Sequence, residues 1–258
     1  MPLWAELTEE GVSERAIVIC RDIAELSRQS AERFRQLAVE TAEAAGRFTV
    51  ALSGGSTPKH LYSLLASTDY SNQIPWNNVR LFWGDERCVP PDHPESNFRM
   101  AQEALLSKIK IPAENIHRMH GEQEPHDAAA EYEKELQIFF GFNSGVMPRF
   151  DLILLGIGED GHTASLFPGS DALNETNHLV VAPFVAKLNS HRLSLSLPVF
   201  NNAANVWFLV TGASKADAVK KAFSGSSEVP AARVQPVNGH LTWYITRDAA
   251  PGIAATGN

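Results

Sequence analysis

Four short runs of apolar residues constrain this chain most: Phe48 to Leu52, Val79 to Trp83, Phe150 to Gly156 and Val206 to Thr211. Each is nearly continuous in apolar side chains, the pattern of a strand covered on both faces. A fifth run, His191 to Leu197, alternates along HRLSLSL. The runs predict a mostly parallel sheet covered by helices, an α/β fold. Ile23, Leu26, Phe34 and Leu37 fall on one face at about 100° per residue, so 13–45 is predicted as one amphipathic helix. Further helices are predicted at 58–66, 96–108, 126–140 and 214–224, each starting near a proline, serine or aspartate that can cap or begin it. Loops around 84–95, 156–170 and 224–240 are rich in glycine, proline and charge. At least two leave the end of a predicted strand, where open α/β sheets bind ligands.

Composition removes several functions. With 258 residues, 44% of them hydrophobic, the chain can bury a sizeable core, which excludes disorder and fibrous repeats. No run approaches the roughly 20 apolar residues of a membrane span. The opening MPLWAELTEEG lacks a basic stretch followed by an apolar one, so a cytoplasmic setting is expected. A net charge of -8 argues against nucleic acid as partner. It leaves room for a small anion, because screening over about 8 Å puts local cations in control. Cys20 and Cys88 read as free thiols. His117 and His120 have a spacing that can chelate zinc on a helix, but a glycine and a proline lie close by and no third ligand is near, so no metal site is expected.

Three segments carry chemistry. After the first strand comes SGGSTP, where Gly54 and Gly55 allow positive φ and a close backbone approach to a ligand. Thr57 and Pro58 suit the N-cap and first position of the next helix, so Ser53, Gly54, Gly55, Ser56 and Thr57 form a candidate phosphate loop. A tight turn with no ligand fits the same six residues. The spacing is not that of a Walker loop, which disfavours nucleotides. After the second strand, WGDER presents Asp85, Glu86 and Arg87 at a loop mouth. Arg87 can grip phosphate bidentately or sit in a salt bridge, while Ser96 and Asn97 cap the next helix. After the third strand, GIGEDGH brings Asp160 and His162 among three glycines. An exposed imidazole there suits a general base.

SGGSTP, WGDER with DHPESN, GIGEDGHTASLFPG, HRLSLSLP, TGASKADAV and PAARVQPVNGHLTWY occur in the order found in 6-phosphogluconolactonases, and the chain from about Phe48 onward resembles that family. The resemblance implies a three-layer α/β fold shared with glucosamine-6-phosphate deaminases and ribose-5-phosphate isomerases, with a smaller α/β lobe, here as a single domain over 1–258. It also implies hydrolysis of 6-phosphogluconolactone to 6-phosphogluconate in the oxidative pentose phosphate pathway, without metal or organic cofactor. The partner implied is a small sugar-phosphate lactone, and a monomer is the expected state. On this reading His162 activates water, Asp160 orients the imidazole, and the phosphate lies on the Ser53 to Thr57 loop with Asp85 nearby. Arg87 and Arg192 are its cationic partners. Because leucines 193, 195 and 197 alternate inward, Arg192 projects to the other face of its strand. Lys215, at a helix start, either approaches the phosphate or remains in solvent.

Two departures bear on alternatives. Deaminases of this fold follow the histidine with a phenylalanine, an asparagine and a proton-relaying glutamate, whereas His162 is followed by Thr163, Ala164, Ser165, Leu166 and Phe167. A deaminase or isomerase therefore lacks its acid here, though Asp85 remains available as a base. A non-catalytic phosphosugar sensor would not need His162 and its acids. In TWYIT, Thr246 stands where many relatives place an aspartate, which leaves the local structure at that end open.

Overall fold

The computed structural model describes residues 14–142 and 145–253. The opening segment read above for a leader lies outside them. Seven strands, β1 (Glu14–Cys20), β2 (Phe48–Leu52), β3 (Val79–Trp83), β5 (Ile116–His117), β6 (Leu152–Leu155), β10 (Asn205–Val210) and β11 (His240–Thr246), form one sheet in the order β1-β11-β10-β6-β2-β3-β5. Every neighbouring pair is parallel. The helices are α1 (Ile23–Ala45), α2 (Ser56–Leu65), α3 (Thr68–Ser71), α4 (Asn97–Ala104), α5 (Pro125–Phe140), α6 (Leu197–Asn201) and α7 (Ala216–Phe223). A second, antiparallel sheet joins β4 (Asp85–Arg87), β9 (Ser190–Leu195) and β7 (Val180–Val181), with β8 (Phe184–Val185) also on β9.

The central strands are buried along their whole length, as their unbroken apolar runs require. Phe208 and Trp243, directly opposed on β10 and β11, stack at 3.9 Å between ring centroids. Two buried tyrosines close strand ends. The Tyr62 hydroxyl accepts from the Ser53 N–H and donates to the Ser53 carbonyl, both at 2.9 Å. The Tyr132 hydroxyl accepts from the Trp83 N–H at 2.9 Å and donates to the His117 carbonyl at 3.1 Å. Each satisfies backbone groups where the chain leaves the ladder.

Several expectations shift. The predicted helix over 13–45 begins only at Ile23, where Asp22 caps it by accepting from the Glu25 N–H at 2.8 Å. Residues 14–20 instead form β1, whose Ile17-Val18-Ile19 run favours an extended chain beside β11. The run from His191 leaves the main sheet for the small one, and Leu197 already belongs to α6, although Leu193 and Leu195 are buried as their alternation implies. His117 and His120 pair with different carboxylates, Glu135 at 2.6 Å and Glu131 at 3.3 Å. Cys20 and Cys88 are free, and burial pushes both thiols up to about 11. Among the described residues no helix is long and apolar enough to cross a membrane.

Candidate active site

The strand order reverses direction between β6 and β2. From β2 the chain moves outward to β3 and β5, and from β6 it moves the other way to β10 and β11. The loops beyond the carboxyl ends of two such strands diverge and leave a crevice. A cavity of about 230 Å³ lies there, lined by Ser53 to Pro58 after β2, Asp85, Arg87 and Asn97 after β3, Gly156 to Gly158, His162 and Ala164 after β6, Leu209 to Thr211 at the end of β10, and Lys215.

On the β2 side, α2 starts at Ser56, two residues earlier than Thr57-Pro58 suggests, with Gly55 as N-cap at φ 103°. No side chain caps this end. The first-turn N–H groups of Ser56 and Thr57 have no intrahelical acceptor and border the cavity together with the positive end of the helix dipole. Thr57 Oγ1 is engaged in a 2.7 Å hydrogen bond with Thr211 Oγ1 that ties the β2 and β10 loops together. Gly54 serves a different end from Gly55: a Cβ there would lie 2.0 Å from Asn97 Oδ1.

On the β3 side, Asp85 is 7% exposed and braces neighbouring loops, accepting from Ser165 Oγ at 2.8 Å and from Asn97 Nδ2 at 3.2 Å. Glu86 points away from the cavity. Its carboxylate accepts from the N–H groups of Arg87 and Asn97 at 2.7 Å and Phe98 at 2.8 Å, and from Ser96 Oγ at 3.1 Å. Burial pushes this group up, while the three backbone donors pull it down. Ser96 caps α4, accepting from the Arg99 N–H. Arg87 borders the cavity and donates to the Glu95 carbonyl. Arg192 does not line the cavity. It stands directly opposite Arg87 in the β4–β9 ladder, and its Nη1 donates to Ser190 Oγ at 2.9 Å and to the His191 carbonyl at 3.0 Å. Burial, then the adjacent Arg87 charge, lowers its pKa.

After β6 the chain folds back on itself, with Gly158 N–H donating to the His162 carbonyl at 2.8 Å. Asp160 Oδ1 lies 2.5 Å from His162 Nδ1 and accepts from the His162 N–H at 3.1 Å. Oδ2 pairs with Lys187 Nζ. Partial burial raises the Asp160 pKa, but the bonds from Lys187 and His162 outweigh it and hold the carboxyl well below the usual range. An ionised carboxylate can only accept, so Nδ1 carries a proton, and in the neutral imidazole Nε2 is then the nitrogen with the lone pair. The ring stacks on Phe167 with centroids 4.2 Å apart. That packing and the Gly158 backbone, where a Cβ would sit 2.0 Å from Nδ1, fix its orientation.

The cavity thus brings together the glycine loop, Asp85, Arg87, His162 and Lys215, while Asp160 stands behind the histidine and Arg192 outside. Lys215 has a distant partner, Glu159 at 4.0 Å. His60 is exposed on α2, away from the cavity. No motif in the chain points to Lys187, while Thr211 and Asn97 lie in the TGASKADAV and DHPESN motifs without a contact assigned to either beyond the capping of a helix by Asn97. Their roles arise from contacts across the fold, between positions 27, 154 and 12 residues apart.

Residues 21–243 match the model of the glucosamine-6-phosphate isomerase/6-phosphogluconolactonase family. The chain belongs to that family. Within it, a 6-phosphogluconolactonase of Nostoc sp. is 44% identical over 211 residues, covering 80% of this chain and 84% of that protein. The solved structure of 6-phosphogluconolactonase from Trypanosoma brucei superposes with a TM-score of 0.84 at 28% identity, over 94% of this chain and all of the other. A monomeric glucosamine-6-phosphate deaminase, at 21% identity and a TM-score of 0.75 over 91% of this chain and 98% of that one, shares the family's fold.

Proposed function

We propose that this chain is a 6-phosphogluconolactonase, hydrolysing 6-phosphogluconolactone to 6-phosphogluconate, with His162 as the base that activates water. The observation that carries the base assignment is the pairing of an ionised Asp160 with His162 Nδ1, which leaves Nε2 free to take a proton at the cavity. As water loses its proton to Nε2, the new hydroxide oxygen bonds to the lactone carbonyl carbon. The tetrahedral intermediate then expels the ring oxygen, which takes the proton back from the imidazolium, so His162 ends as it began. Asp160 stabilises the transient imidazolium.

The distant phosphate is the handle. It carries about -1.5 to -2 charge at pH 7, and the α2 N-terminus, Arg87 and Lys215, all bordering the cavity, supply donors and positive potential. Each charge-assisted hydrogen bond contributes on the order of 1.5 to 3 kcal/mol. The deaminase reading is disfavoured by Phe167: at the position where a relaying acid is expected, an apolar ring lies flat against the imidazole. The test is turnover by the intact protein of 6-phosphogluconolactone, generated in place and compared with its spontaneous hydrolysis, beside glucosamine 6-phosphate. Acceleration confined to the lactone supports the proposal. Release of ammonia from glucosamine 6-phosphate without lactone hydrolysis overturns it.

A further inference from the structure

We propose that Lys187 is a positioning residue for this hydrolysis, clamping the outer oxygen of Asp160 so that the inner oxygen fixes the His162 imidazole. The inference rests on the lactonase reading and extends it to a side chain of the small sheet.

Lys187 lies in a single helical turn, Ala186–Leu188, between β8 and β9, and that turn buries none of its residues. Its apolar neighbours Phe184 and Leu188 are 53% and 47% exposed. Packing therefore does not explain why the turn sits where it does. Lys187 does reach across to the loop after β6, where Nζ pairs with Asp160 Oδ2 and lies 4.5 Å from the centroid of the Phe167 ring. The same ring carries the imidazole. Lysine, aspartate and histidine thus form a line, with Phe167 in contact with both ends.

The chemistry needs such a clamp. Asp160 is 36% exposed, and a carboxylate with one partnered oxygen can swing toward water. With a cation on Oδ2 and two His162 donors on Oδ1, both oxygens are engaged and the carboxylate plane is set. A histidine held this way keeps its proton on Nδ1 and its lone pair aimed at one place. Loosening a base by even about 1 Å can cost up to 10²-fold in rate. A merely structural role fits poorly, because an exposed ion pair of this kind contributes little to stability.

The experiment compares wild type, Lys187→Met and Lys187→Arg in lactone kinetics, thermal unfolding and ¹⁵N-resolved NMR of the His162 ring. Lys187→Met is expected to lower kcat about tenfold while leaving KM within about threefold, with an unchanged Tm. Lys187→Arg is expected to restore most of the rate. The Nδ1-bound proton should be visible in wild type and Lys187→Arg, and broadened or lost in Lys187→Met. Wild-type kcat and an unaltered ring signal in Lys187→Met overturn the inference. So does a rate loss that follows a lowered Tm and is not rescued by arginine. If the wild type does not hydrolyse the lactone, the functional proposal fails, and the ring signal alone still decides whether Lys187 orients His162.

Discussion

Asp160 and His162, two residues apart, meet through a 2.5 Å contact between Oδ1 and Nδ1, on a loop that folds back on itself beyond β6. The contact defines which nitrogen carries the proton, and it sits at the reversal of strand order where an α/β sheet opens a crevice.

Replacing Asp160 by asparagine removes the negative charge that stabilises the imidazolium and fixes the tautomer. Asp160→Asn is expected to lower kcat by about 10²-fold or more with little change in KM, read from steady-state kinetics. A rise in KM at constant kcat would assign Asp160 to substrate binding instead.

The same carboxyl predicts a pH effect on stability. Its folded-state pKa lies below the unfolded one, so its contribution is present above the ordinary aspartate value of about 3.9 and declines as pH falls from there toward the folded value. Because the pairing is exposed, denaturant unfolding of wild type and Asp160→Asn should show only a small gap at pH 6, about 1 kcal/mol or less, that narrows below about pH 4. A gap that widens in acid has the wrong sign for this pairing.

Arg87 and Arg192 face each other across one ladder rung, but only Arg87 borders the cavity. Arg87→Ala is expected to raise KM about tenfold or more, the loss of one charge-assisted contact, and Arg192→Ala to raise it much less. The opposite ranking would mean that substrate draws Arg192 inward.

Gly158→Ala tests how tightly the loop is built. An added Cβ would fall 2.0 Å from His162 Nδ1 and 2.8 Å from Asp160 Oδ1, so the imidazole must move. Activity should drop by about 10²-fold with the far-ultraviolet dichroism of the wild type retained. Full activity would show that the ring has room to spare.

Much of this was legible in the chain. The nearly continuous apolar runs FTVAL, VRLFW and LILL call for burial on both faces, and they are inner strands, buried throughout except at Arg80. The glycine loop and GIGEDGH could be placed because each follows such a strand directly. Residues 14–20 were misread because a helical phase starting at Ile23 was extended backward through a β-branched run, past the Asp22 cap that stops it. Arg192 was assigned from alternation, which fixes the face of a strand but not the sheet it joins, and β9 belongs to the small one. Lys187 had no local signal at all, since its partner lies 27 residues away and no motif spans that gap.

Glu86 offers a stability test apart from the chemistry. Its 2% exposed carboxylate receives three backbone N–H groups and one hydroxyl, holding the start of α4 against β4. Glu86→Ala orphans those donors, and a loss of about 3 kcal/mol or more in unfolding free energy is expected by chemical denaturation. A change below about 0.5 kcal/mol, the range of an ordinary surface substitution, would mean that water replaces the carboxylate without cost.

The most direct measurement is the disappearance of 6-phosphogluconolactone with wild type and His162→Ala side by side, each against the spontaneous rate. The account predicts clear acceleration by the wild type and a fall of about 10² to 10⁴ in kcat for the variant. A variant as fast as the wild type would contradict His162 as the base, and a wild type no faster than buffer would contradict the lactonase itself.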